Sequence, residues 1–96
     1  MEIEYDPAKR ETTLRERGLD FEDFPDLFMS EFVLSLRARD GPEGEERFIT
    51  FAAMEDEAVI AAVWTVRGTR YRVMSMRKAR RNERQTFWNA FRSRSR

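Results

Sequence analysis

The side chains able to do chemistry in this sequence are almost all arginines and carboxylates. It has no histidine and no cysteine, so an imidazole base, a thiolate nucleophile, a disulfide and the usual nitrogen and sulfur ligands of zinc are missing. A zinc site would have to use carboxylates alone, an uncommon arrangement, and neither a metal nor a cofactor is expected. Basic and acidic residues balance at 18 each, but the two signs are segregated along the chain. From Arg67 onward, Arg67, Arg70, Arg72, Arg77, Lys78, Arg80, Arg81, Arg84, Arg92, Arg94 and Arg96 stand against one acid, Glu83. All but one of these cations are arginines, which grip phosphate with two parallel hydrogen bonds. Such a division implies a basic surface on the last strand and helix, suited to a polyanion or an acidic protein. The alternative is internal neutralisation, with the basic end folded against the acidic one.

The elements that must position these groups can be traced from spacing. Ile3-Glu4-Tyr5 alternates like a short strand, and Asp6-Pro7 is a cap followed by a proline suited to a first helical turn. Residues 8–17 are helix formers that stop at Gly18, a residue at home in a left-handed cap. Asp20 caps a second helix in which Phe21, Phe24, Leu27 and Phe28 recur at core spacing. Strands are expected at 31–39, 47–54, 58–67 and 71–77, parted by a turn at 40–44 and by the short tips Glu55-Asp56-Glu57 and Gly68-Thr69. Residues 79–91 place Arg84, Phe87, Trp88 and Phe91 on one face of a last amphipathic helix, and the end from Arg92 should fray. The order β, α, α, a four-strand antiparallel meander, then α makes an α+β fold, expected to be a single domain over 1–96. The longest apolar run, 58–64, is far too short for a membrane helix and no signal peptide opens the chain, so a cytoplasmic protein is expected.

Several short motifs fall on these elements. Tyr5-Asp6 is followed by Lys9, Gly18 and Phe21; Gly44-Glu45-Glu46-Arg47 enters the second meander strand; Thr65-Val66-Arg67 ends the third; and Ser75-Met76-Arg77-Lys78-Ala79 precedes Glu83 and Phe87. In this order and spacing the set, covering residues 3–87, resembles the BrnT family of small ribonuclease toxins from type II toxin–antitoxin pairs. The resemblance implies a RelE-like fold, RNA as substrate, and inhibition of translation and growth. It also implies a BrnA-type antitoxin with a ribbon-helix-helix DNA-binding part, in a homodimer or a toxin–antitoxin hetero-oligomer. Carried over position by position, the implied catalytic residues are Glu45, Arg47, Arg67 and Arg77. Arg17 stands where the family has a histidine, and the family's asparagine four residues earlier is replaced by Leu14 or Thr13. Arg17, Lys9, Arg70, Arg72, Lys78, Arg80 and Arg81 are expected to hold RNA phosphates.

Metal-independent RNA cleavage needs a base for the 2′-hydroxyl, a stabiliser of the anionic phosphorane and an acid for the leaving oxygen. Arginine serves only the second need, because its pKa above about 12 leaves no free lone pair. Arg17 can grip a phosphate but cannot inherit proton transfer. The remaining candidates are Glu45, Glu46, Lys9 and Tyr71, with a glutamate favoured if partial burial raises its pKa. Period-two geometry puts Thr65 with Arg67 and Ser75 with Arg77, while the Gly68-Thr69 hairpin sets Arg67 opposite Arg70 or Arg72 and Arg77 near the far end. The bland reading of each arginine is a solvated strand end, and of Arg17 a helix end where positive charge suits the dipole. The expected function is a ribonuclease toxin. The alternatives are a catalytically impaired member kept to bind an antitoxin or nucleic acid, and a structural adaptor unrelated to toxins.

Overall fold

The computed structural model describes residues 1–94; of the tail expected to fray, Ser95 and Arg96 lie outside the described residues. A short strand β1 (Ile3–Glu4) leads into α1 (Pro7–Arg17). The Asp6 carboxylate accepts the Ala8 N–H at 2.9 Å, and the helix ends where Gly18 adopts φ 69° and donates to the Leu14 carbonyl. Arg10 forks onto Asp20 at 2.8 and 3.0 Å, which holds that carboxyl down to about 2 and ties α1 to the next turn. The expected second helix is split. A 3-10 turn at Phe21–Asp23, capped by Asp20, passes into a single α-helical turn, α2 (Phe24–Leu27), with Pro25 in its first turn, where no N–H is needed.

The four expected strands form as β2 (Val33–Arg37), β3 (Phe48–Ala53), β4 (Val59–Arg67) and β5 (Arg70–Lys78), followed by α3 (Arg81–Arg94). They pair antiparallel in sequence order. The sheet has a fifth member, because β1 joins the edge of β5 in parallel through Ile3↔Tyr71 and Glu4↔Arg72, giving the order β1-β5-β4-β3-β2. The α+β class is borne out, with a mixed sheet where a meander and a separate strand were expected.

Helices cover both faces of this sheet. On one, Phe21, Phe24 and Leu27 pack on Ala52, Ile60, Ala62, Trp64, Val73 and Met76. Trp64 donates its indole N–H to Thr50 at 2.8 Å, and Thr50 in turn bonds Ser35 at 2.7 Å, so the polar atoms of this core are paired. On the other face, Phe87 of α3, 1% exposed, enters a cluster of Phe51, Val59, Ala61 and Ala79, flanked by Phe32, Trp88 and Phe91. Because α3 sits over Val59 and Ala61, the part of this face nearer the β4–β5 turn is left without a helix. Among the described residues no helix is long and apolar enough to cross a membrane.

Candidate functional site

Alternation alone would put Arg70 and Arg72 on the opposite side of β5 from Ser75 and Arg77. A bulge prevents this. Val63 pairs with Ser75 and Trp64 with Val73, so Met74 is an extra residue in β5, and the facing pattern shifts by one. Tyr71, Val73 and Met76 consequently all pack towards the α1 and α2 side. Arg70, Arg72, Ser75 and Arg77 share the other face, opposite Arg67, Thr65, Val63 and Ala61 respectively. Four cationic side chains and the hydroxyls of Thr65 and Ser75 are thus brought to one face of two adjacent strands.

At the turn end of that face, Glu45 lies between two guanidinium groups: Oε1 accepts from Arg47 Nε at 3.4 Å and Oε2 from Arg67 Nη2 at 3.3 Å. The Arg47 guanidinium lies against Gly41, where a Cβ would come within 2.6 Å of its Cζ. Thr65 donates its hydroxyl to the Glu46 carbonyl at 2.6 Å, fastening this segment to β4. Arg70 pairs with Glu2 at 3.4 Å and Arg72 with Glu4 at 3.6 Å.

At the other end, Arg77 makes a two-pronged bond to Glu83, at 2.7 Å to Oε1 and 3.0 Å to Oε2. Glu83 also accepts the backbone N–H of Arg80 at 2.7 Å, as the third residue of a helix reaching back to its cap does. The Arg77 hydrogen bonds push the Glu83 carboxyl down to about 2, and the same bonds raise the pKa of Arg77. A folded-state pKa below the ordinary carboxylate value means stability that is present above about pH 4.5 and lost as pH falls towards 2. With side chains 24% and 19% exposed, the pair contributes roughly 1 to 3 kcal/mol. Glu83→Gln should therefore lower the melting temperature by about 5 to 10 °C at pH 7, and the gap should close near pH 2. A gap of equal size at both pH values would show that the charge is not the source.

The catalytic set implied by the motifs is thus divided. Glu45, Arg47 and Arg67 are in contact, whereas Arg77 lies opposite Ala61, six residues or about 20 Å along β4 from Arg67. Arg17 donates to the Met76 carbonyl at 2.8 Å, reaching the edge of β5 beyond the end of β1, one residue from Arg77. Of the proton-transfer candidates, Glu45 touches Arg47 and Arg67; Glu46 pairs with Arg37 of β2, Tyr71 packs against Trp64 on the opposite sheet face, and Lys9 is exposed on α1. Lys78, Arg80 and Arg81 are exposed at the junction of β5 and α3. Sequence reasoning assigned no role to Glu83, although its position as the lone acid of the basic half was a usable signal. Internal neutralisation, the alternative to a basic surface, describes Arg67, Arg70 and Arg72, whose partners Glu45, Glu2 and Glu4 come from the acidic part of the chain, but not Arg77, which pairs with Glu83 in the basic half.

A mixed sheet with helices on both faces and arginines in register on the uncovered part of one face defines a small α+β domain of a known kind. It is similar to the crystal structure of the Brucella abortus ribonuclease toxin, BrnT, with 26% sequence identity and a TM-score of 0.62 over 84% of this chain and 99% of that one. Residues 5–83 match the family model described as the ribonuclease toxin, BrnT, of type II toxin–antitoxin system. The chain belongs to that family. No curated protein sequence matches it.

Proposed function

We propose that this chain is the toxin of a type II pair, cleaving cytoplasmic RNA without a metal so that translation and growth stop, and that a BrnA-type antitoxin neutralises it. The observation that carries this reading is the β5 bulge, which puts Arg70 and Arg72 on the same sheet face as Arg67 and Arg77. That face offers a phosphodiester several guanidinium groups. Arg77 is the stabiliser of the phosphorane: its fork is held by Glu83, and donors remain for a phosphate because a guanidinium has five. Glu45, held between Arg47 and Arg67 about 20 Å along the sheet from Arg77, is too far away to take the proton at the same phosphate and instead fixes those two guanidinium groups for a neighbouring one. Arg17, Lys9, Arg70, Arg72, Lys78, Arg80 and Arg81 hold neighbouring phosphates. If about four phosphates are gripped, the slope of log affinity on log salt is about −3, and RNA binding should weaken about 50-fold between 50 and 200 mM salt. Binding indifferent to salt in that range would remove the phosphate-gripping account.

Arg17 at the histidine position favours a second reading, a binding module with little catalysis. Induced expression of the chain alone, with growth and RNA integrity followed, separates the two. Arrest with RNA loss, relieved by co-expression of a ribbon-helix-helix neighbour, is expected of the toxin; unimpaired growth with intact RNA is expected of the module.

A further inference from the structure

Positive charge is compensated at the sheet arginines but not at Arg81 and Arg84 of α3. Arg47, Arg67, Arg70, Arg72 and Arg77 each lie within 3.6 Å of a carboxylate. Among the described residues Arg81 and Arg84 are in no ion pair; Arg84 spends one donor on the Ala79 carbonyl at 3.0 Å. Arg81, Arg84, Gln85, Trp88, Asn89 and Arg92 recur at three- and four-residue steps and line one shallow groove along the outer side of the helix. All are exposed except Trp88, which is half-buried. The stripe is about 16 Å long. Phe32 and Phe87 meet the Trp88 ring edge-on at 5.4 and 5.0 Å, so it is a braced platform and not a loose side chain.

We propose that this stripe is a binding track for single-stranded RNA, separate from the sheet face where cleavage takes place. Guanidinium groups take phosphates, Trp88 offers an accessible aromatic edge and surface to an unstacked base, and the Gln85 and Asn89 amides, each with donors and an acceptor, meet base edges. Arginines interleaved with an aromatic ring and amides suit a polyanion that carries stacking bases better than an acidic polypeptide, which would use the charge alone. Family membership assigns none of this, because the match ends at Glu83 and every stripe residue but Arg81 lies beyond it. Glu83, which holds Arg77, lies on the sheet-facing side of the same helix, roughly opposite the stripe, so α3 carries both surfaces. The RNA ligand rests on the ribonuclease reading.

The test uses the full chain and a 12-nucleotide 2′-O-methyl-oligouridylate, which cannot undergo attack by its own 2′-hydroxyl. Trp64 is 9% exposed and Trp88 is the other of the two tryptophans, so quenching on RNA addition should come from Trp88 and be lost in Trp88→Phe. The double variant Arg84→Gln, Asn89→Ala changes only exposed side chains that have no part in the sheet-face set. It should weaken binding about tenfold and make the salt slope shallower by about 0.7, one phosphate's worth. With cleavable RNA it should raise KM far more than it lowers kcat. Unchanged binding in the double variant overturns the track, as does equally tight, competing binding of a 12-residue oligoglutamate, which would mark a surface for acidic protein. Cleavage by a double variant that binds like the parent removes the track and leaves the ribonuclease reading standing. A chain that cleaves nothing, yet loses RNA binding in the double variant, removes the ribonuclease reading and leaves the track.

Discussion

Arg17→His is expected to raise the rate of RNA cleavage by roughly 10²- to 10⁴-fold, the usual contribution of a positioned general acid or base. Arginine at this turn holds a charge but moves no proton at neutral pH, whereas imidazole titrates near about 6.5. The site is suitably placed: Arg17 already reaches the edge of β5 at Met76, next to Arg77. The gain should come with an inflection of the pH–rate profile near about 6.5 that the parent lacks, and Arg17→Lys should bring neither. Loss of the bond to the Met76 carbonyl costs about 1 kcal/mol of stability, too little to mask such a rise. Should the parent already cleave rapidly and Arg17→His slow it, arginine at this turn is a working catalytic group and the impaired proton transfer inferred from it is wrong.

Arg77→Ala is the second large effect, a fall of about 10²- to 10³-fold in kcat, as when one preorganised donor is removed from a developing oxyanion. Deletion also strands Glu83 next to the Arg80 N–H, so a melting curve must accompany the kinetics. Arg77→Lys separates the two roles. It restores a charge beside Glu83 but not the fork, so much of the stability should return while kcat stays low. An Arg77→Ala protein that melts like the parent and cleaves like it would place phosphorane stabilisation elsewhere.

Much of the framework was legible in the residues because local chemistry decides it. Asp6-Pro7 and Gly18 bracket α1, and the Gly68-Thr69 tip makes the β4–β5 hairpin, as their types demand. The parallel docking of β1 was not, since two paired residues carry no pattern that names a partner. Nor was the bulge, for Met74 is no glycine and nothing local marks it as the extra residue. Without the bulge the grouping of Arg72 with Ser75 and Arg77 is invisible to a period-two argument. Charge segregation could be counted, but not which arginines find acids, because Arg70 meets Glu2 across 68 residues of chain. Pro25 left a short helix of one turn where four aromatic and aliphatic positions implied a longer one, yet Phe21, Phe24 and Leu27 are buried as expected.

The central claim is that this arginine face cleaves RNA by attack of its own 2′-hydroxyl. It is tested most directly by incubating end-labelled RNA with the purified protein and with Arg17→His in excess chelator, and identifying the ends produced. The account predicts fragments with 2′,3′-cyclic phosphate and 5′-hydroxyl ends, slowly from the parent and faster from Arg17→His. Intact RNA with both proteins, or cleavage that needs a divalent metal and leaves 5′-phosphates, would contradict it.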